Sequence, residues 1–356
     1  MRGITFPDKL GKAAAALKRL SLGFVLITAS SGLLLLSDWN QRRAGTGSLP
    51  RVALVQHATQ AILDEGIQGM VDGLAENGFV EGKTVLIQRY NAESDIATAN
   101  AIAKEVTDGR FDLILTATTM SLQTVANANQ EGKSRHVFGF VSDPFSAGVG
   151  INRENPLDHP RHLTGIGSMP LVAETFRAAL QMFPALKRVG APWNPAESNS
   201  VANMRLARKV AKELGIELLE ANVENSAAVQ EAANSLIARG VQAVWAGGDL
   251  TIIVALDSVI AAAKQAWIPV FTSIPGNVER GALFDVGGDV REIGKRVGAL
   301  AAQVLRGVSP ASIPVRNFVT ERLVINPKAL EALKDPWRFP KDVLAGATIG
   351  GKDNPR

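Results

Sequence analysis

From Arg51 onward the chain alternates short apolar or β-branched runs with longer stretches of helical period, and this alternation restricts the fold more than any other feature. Strand, helix and strand in repeated succession is the pattern of parallel sheets covered by helices, because each parallel connection needs a long crossover. The predicted strands are 51–56, 84–90, 112–116, 136–141, 188–193, 216–221, 242–246, 268–272 and 282–286. Several are continuous apolar runs, as strands buried on both faces require. Between them apolar residues recur at helical spacing, as in Ile67, Met70, Val71 and Leu74, or Phe176, Ala179, Leu180 and Phe183. The same period returns at Val229, Ala233, Leu236 and Ile237, and at Ile293, Val297, Leu300, Ala301 and Val304. Each such stretch predicts a helix that buries one face.

The strands fall into two groups, so the predicted fold class is α/β with two doubly wound, Rossmann-like lobes. A chain of 356 residues has room for two lobes of this kind, and 46% hydrophobic with 20% charged residues suits a globular body. The first lobe is expected from residues 51–166 and 273–318, the second from 167–272 and 319–345, with 346–356 as a tail. Segment 152–162, rich in Pro, Asn and charge, reads as a surface excursion before the chain crosses at 164–170. After Thr272 the chain is expected to return to the first lobe.

Residues 1–50 read as a signal or membrane anchor followed by a linker. Lys9, Lys12, Lys18 and Arg19 precede the apolar stretch 20–36, which has the character of an export signal. Its length is near the short limit of about 17 residues for a spanning helix. Trp39, Arg42 and Arg43 then stand where a removed peptide would carry small residues, which favours an uncleaved anchor over cleavage near Ala29 or Ala44. Either way the body lies outside the cytoplasm. The absence of Cys excludes disulfides, thiolate metal sites, a cysteine nucleophile and a lipoprotein attachment cysteine. The 38 basic and 34 acidic residues are scattered, without an aromatic-interleaved basic stripe, so nucleic acid is not an expected partner.

In open α/β sheets ligands bind beyond the carboxyl ends of the strands. The loops to watch are therefore 57–64, 116–121 and 142–146 in the first lobe, and 193–199, 247–251 and 272–277 in the second. Thr118, Thr119 and Ser121 gather hydroxyls where a helix starts, which suits a carboxylate or serves as ordinary capping. Ser142 and Asp143 precede Pro144, so Asp143 is read as a ligand contact or a turn residue. Trp193 offers a flat apolar wall or is simply core, and Asn194 follows it at a strand end. Asp249, after Gly247 and Gly248, either caps a helix over 251–265 or accepts a ligand ammonium. His159 and His162 have metal-binding spacing but lack a third ligand, so no metal is expected. No phosphate loop, nucleophile elbow or zincin helix is present, so a binding protein without a cofactor is expected rather than an enzyme.

The run Gly73-Leu74-Ala75-Glu76-Asn77-Gly78-Phe79-Val80-Glu81-Gly82-Lys83 resembles the ABC transporter substrate-binding family, whose relatives include binders of tryptophan and other aromatic amino acids. Val141-Ser142-Asp143-Pro144, Asn194-Pro195-Ala196-Glu197-Ser198-Asn199-Ser200, Ile268-Pro269-Val270-Phe271 and Glu279-Arg280-Gly281-Ala282 extend the resemblance over residues 51–326. It implies the type I periplasmic binding protein fold, with three hinge crossings and a ligand enclosed between the lobes. It also implies delivery to an ABC permease driven by a cytoplasmic ATPase. The residues it would assign to the ligand are those of loop 118–121, with Ser142, Asp143, Asn194 and Asp249. Gly248-Asp249-Leu250 departs from a family pattern of Thr-Asp-Asn, so an amide is lost there. The expected ligand is an amino acid or related zwitterion, and a membrane-tethered ligand sensor is the alternative to transport.

Overall fold

The computed structural model describes residues 49–350; the expected anchor at 20–36 and the end of the tail lie outside them. The first half runs β1 (Arg51–Gln56), α1 (Ala61–Glu76), β2 (Leu86–Asn91), α2 (Ile96–Val106), β3 (Leu113–Ala117), α3 (Thr119–Ala128), β4 (His136–Val141) and β5 (Leu163–Gly167). These strands pair in parallel in the order 2-1-3-4-5, with a short parallel β11 (Arg316–Asn317) added beside β5. Alternate residues of one strand go to opposite covers. Val52, Leu54, Leu113 and Leu115 pack under α1, while Ala53, Val55 and Ile114 pack under α2. A sheet buried on both faces explains why these strands read as unbroken apolar runs.

The second half repeats the arrangement. α4 (Val172–Met182), β6 (Arg188–Trp193), α5 (Ser198–Glu213), β7 (Glu217–Asn222), α6 (Val229–Ala238) and β8 (Ala243–Ala246) follow in order. Then come α7 (Leu250–Val254), α8 (Leu256–Gln265), β9 (Val270–Thr272) and β10 (Phe284–Gly287). Strand order from the edge is β7-β6-β8-β9-β10, again 2-1-3-4-5, extended by β12 (Arg322–Ile325) and β13 (Thr348–Ile349). β12 runs antiparallel to β10 and β13 parallel to β12. The remaining helices are α9 (Val290–Leu305) and α10 (Lys341–Gly346).

Sheet membership fixes where the chain crosses. It leaves the first sheet after β5, returns after β10, and leaves again between β11 and β12. The expected return after Thr272 is therefore corrected: β10 pairs with β9 and β12, so residues 273–287 belong to the second lobe and the return lies just before α9. Residues 346–349 are likewise part of the second lobe and not a free tail, because β13 completes its sheet. The crossing expected near 164–170 coincides with the end of β5 and the start of α4.

α9 reaches the first lobe by an unusually close contact with α1. A Cβ added at Gly73 would lie 2.2 Å from Lys295 O, and one at Gly298 only 2.1 Å from Met70 O. Glycines on both helices let the backbones touch, and Arg291–Asp72 and Lys295–Glu76 ion pairs flank the contact at 2.7 and 2.6 Å. Asp289 caps α9 by accepting from Glu292 N at 3.0 Å. The consequence reaches the cleft, because α1 supplies Ile62 and Leu63 and α9 supplies Val290 and Ile293 to the same cavity wall.

Candidate functional site

In a 2-1-3-4-5 sheet the chain turns opposite ways from strands 1 and 3, and the gap between their carboxyl ends is the place where a ligand fits. In the first lobe that gap is flanked by the ends of β1 and β3. The pairing of Gln56 with Ala117 puts the next residues, His57 and Thr118, side by side at the sheet edge. In the second lobe the corresponding gap lies between β6 and β8, followed by Asn194 and by Gly248 and Asp249. One cavity of about 550 Å³ joins the two gaps and is lined by His57, Thr118, Asn194, Glu197 and Asp249 together. Its size lies within the usual range for small-molecule sites.

The first-lobe end presents a helix start to the cavity. Thr118 adopts φ 97° and ψ 158°, a region that favours glycine. Its hydroxyl accepts from Ser121 N at 3.4 Å and starts α3, leaving Thr119 and Met120 at the cavity. Phe140, at the end of the adjoining β4, also has a positive φ of 55° and lines the cavity. Both outliers occur beside the cleft, where such strain is typically retained for a purpose. His57 is 4% exposed, its Nδ1 has no hydrogen-bond partner, and burial lowers its pKa. It is therefore neutral at neutral pH, with one N–H to give.

The second-lobe end carries negative charge. Asp249, 1% exposed, accepts from Ile252 N at 2.7 Å, Ser200 Oγ at 2.8 Å and Asn194 N at 3.4 Å. Glu197 accepts from Leu250 N at 2.8 Å, Thr251 N at 2.9 Å and Thr251 Oγ1 at 2.6 Å. Asn194 holds the pair in place by giving Nδ2 to Thr251 Oγ1 at 2.9 Å and taking Ala196 N on its Oδ1 at 2.9 Å. Burial, with Glu197 as a like-charged neighbour, raises Asp249 to about 7. The ionisable residues among those lining the cavity are His57, Glu197, Glu224 and Asp249, with no Lys or Arg. The remaining wall is largely apolar and includes Leu63, Met120, Phe140, Leu171, Ile253 and Ile293.

The structure brings five of the sequence-selected residues to this cavity: Thr118, Thr119, Ser142, Asn194 and Asp249. Three lie elsewhere. Ser121 is buried in the first turn of α3, where it completes the cap of Thr118. Asp143 takes its turn role, accepting from Phe145 N at 3.2 Å and Ser146 Oγ at 2.7 Å and pairing with Arg153 at 2.6 Å. Trp193 belongs to the core of the second lobe, with the Arg208 guanidinium 5.2 Å from its ring centre. The last residue of β6 faces a helix layer, and only the residue after it reaches the cleft. Asp249 caps α7, whose break from α8 at Ala255 divides the single helix expected over 251–265. His159 is spent on local contacts, its ring nitrogens 3.1 Å from Pro160 O and 3.0 Å from Ile313 O.

His57 and Glu197 were not among the candidate residues. Strand order, which places the loop after strand 1 beside that after strand 3, is the signal that finds His57. Glu197 emerges only from its tertiary contact with α7.

The fold agrees with what the chain resembles. The tyrosine-binding protein of Clostridioides difficile is 28% identical over 280 residues, covering 79% of this chain and 79% of that protein. A solved conserved domain protein from Vibrio cholerae is 31% identical, with a TM-score of 0.78 over 85% of this chain and 99% of its own. The ABC domain of Streptococcus pneumoniae solved in complex with L-Trp is 24% identical and has the same fold, with a TM-score of 0.79 over 85% and 99% of the two chains. The ABC transporter substrate binding protein family matches residues 51–347, from the first strand past the last helix, and the chain belongs to that family.

Proposed function

We propose that the protein captures an amino acid with a large apolar side chain outside the cytoplasm and hands it to an ABC permease driven by a cytoplasmic ATPase. The observation that carries this reading is the polarity of the cleft: carboxylates stand at the second lobe, and a helix start with an unpaired imidazole stands at the first. An α-amino acid has an ammonium and a carboxylate on neighbouring atoms, so its head group complements both walls at once. The apolar remainder of a 550 Å³ cavity accommodates an aromatic side chain. The names of the tyrosine-binding relative and of the L-Trp complex support the same class.

Thr118, Thr119 and Ser142 then serve the carboxylate side, and Asn194, Glu197 and Asp249 the ammonium side. Contacts from both lobes reward closure, since only the closed arrangement makes both sets. Residues 20–36 tether the body to the membrane with their basic end in the cytoplasm. The test is native mass spectrometry of gently purified protein, followed by titration with the compound recovered. A bound amino acid is the expected result. A recovered sugar or an uncharged solute would overturn the reading.

A further inference from the structure

His57 stands in the cleft without a task in the amino-acid reading. His57 is nine-tenths buried or more, its Nδ1 meets no partner, and its ring lines the cavity. With Nδ1 closed off and without an acceptor, the N–H of the neutral ring belongs on Nε2, which is not closed off and is the nitrogen free to meet a ligand. Across the cavity stands Glu197, close enough to act on the charge of His57. Its carboxylate oxygens are already turned to Leu250 N, Thr251 N and Thr251 Oγ1. His57 thus shares one cavity with Glu197 and Asp249 of the second lobe and with Thr118, its neighbour at the carboxyl end of the sheet.

The dimensions of an amino acid select what fills that space. Its nitrogen and carboxylate carbon are only about 2.5 Å apart. An ammonium held by Glu197 and Asp249 leaves the carboxylate to meet the facing wall as the lobes close. No Lys or Arg lines that wall, and a carboxylate taken out of water requires donors. The α3 N-terminus, with Thr119 and Met120 at the cavity, supplies some of them. Gln60 and His57 also line the cavity, and His57 is the one that stands beside Thr118 at the carboxyl ends of β1 and β3.

We propose that His57 is the residue by which the cleft tells an amino acid from the corresponding amine: it donates to the ligand's α-carboxylate beside the start of α3, while Glu197 and Asp249 hold the ammonium. This rests on the amino-acid reading of the cleft. An amine of the same side chain satisfies the carboxylates but leaves the imidazole and the helix start unmet, and sites with unmet polar groups reject such analogues strongly. His57 also explains how a cleft without a guanidinium accepts a carboxylate.

The experiment is calorimetric titration of wild type, His57→Ala and His57→Gln with L-tyrosine, tyramine, L-tryptophan and tryptamine. Wild type is expected to prefer each amino acid to its amine. His57→Ala is expected to lose about 10- to 150-fold in affinity for the amino acid, the range for a hydrogen bond to a charged group, and to change little toward the amine. His57→Gln, which keeps an N–H donor, is expected to recover part of the loss. Equal losses for acid and amine, or no loss for either, would overturn the assignment. Nitrogen-15 NMR of the wild-type imidazole gives a check that does not depend on the variants folding: its ring signals are expected to move with the amino acid and not with the amine, and the same movement with both would count against the proposal. If neither amino acid binds wild type, the functional reading fails and this proposal with it; if both bind and His57→Ala is unselective, this proposal fails alone.

Discussion

The proposed function gives Asp249 a second duty beside capping α7, and one substitution separates the two. As a cap it accepts from Ile252 N at 2.7 Å, and as a buried carboxylate it also takes Ser200 Oγ at 2.8 Å and Asn194 N at 3.4 Å. In Asp249→Asn the amide oxygen keeps the Ile252 bond, and the Ser200 hydroxyl turns to accept from the new amide. Only the long contact from Asn194 N is lost, a cost of about 1 kcal/mol or less. Removing a charge that burial and Glu197 oppose offsets that cost. The variant is therefore expected to melt within a few degrees of wild type. Ligand binding is affected differently, because a charge-assisted contact to an ammonium is worth about 1.5 to 3 kcal/mol, roughly 10- to 150-fold in affinity. Calorimetric titration of both proteins with the recovered amino acid, after matching their melting curves, reads the two effects separately. Equal affinity would show that Asp249 only caps α7 and that the ammonium is held without it.

Further outcomes follow from the same geometry. Gly298→Ala places a Cβ 2.1 Å from Met70 O and is expected to destabilise by about 1 to 3 kcal/mol despite the better helix propensity of Ala, whereas Gly346→Ala, with nothing near its Cβ, is neutral or stabilising in the same urea titration. Gly298→Ala as stable as wild type would contradict the close α1–α9 contact. Asp285, raised to about 7 by burial, favours the protonated form when folded, so its contribution is full below about 3.8 and is lost as pH rises through 7. The stability of Asp285→Asn relative to wild type should therefore rise between pH 4 and 7, by at most about 1.4 kcal/mol per pH unit, and a flat difference would refute the shift. Arg205, on α5 of the second lobe, donates to Ser146 Oγ of the first at 3.3 Å in an exposed contact. Arg205→Ala is expected to weaken ligand affinity by no more than about fivefold, and a larger loss would make this contact a principal closure latch.

Much of the fold was legible because buried parallel strands announce themselves. The apolar runs leading to β3, β4, β6 and β8 were placed within one residue at each end. β5, with Gly165 and Gly167 in its five residues, and β11, with two exposed polar residues, carry no such signal and exist through pairing with neighbours. The misplaced return to the first lobe has the same origin. Phe284–Gly287 reads as a strand, but nothing local says which sheet it joins. The expected residues that line the cavity are those just past a strand end, where position brings a side chain to the cleft. Ser121, Asp143 and Trp193 lie in the same loops beyond strand ends, and their contacts claim them: a helix turn, a salt-bridged loop and a core. His57 and Glu197 lie in loops 57–64 and 193–199, but singling them out takes the lateral order of the strands for the one and, for the other, its contact with a helix start more than fifty residues away.

The most direct test is a crystal structure of the protein saturated with the amino acid that native mass spectrometry recovers. The ligand is expected to lie between the ends of β1 and β3 on one side and β6 and β8 on the other. Its ammonium should meet Glu197 and Asp249, its carboxylate His57 and the start of α3, and its side chain the apolar wall of Phe140, Leu171 and Ile253. A ligand bound outside this cleft, or one seated with its carboxylate toward Glu197 and Asp249, would contradict it.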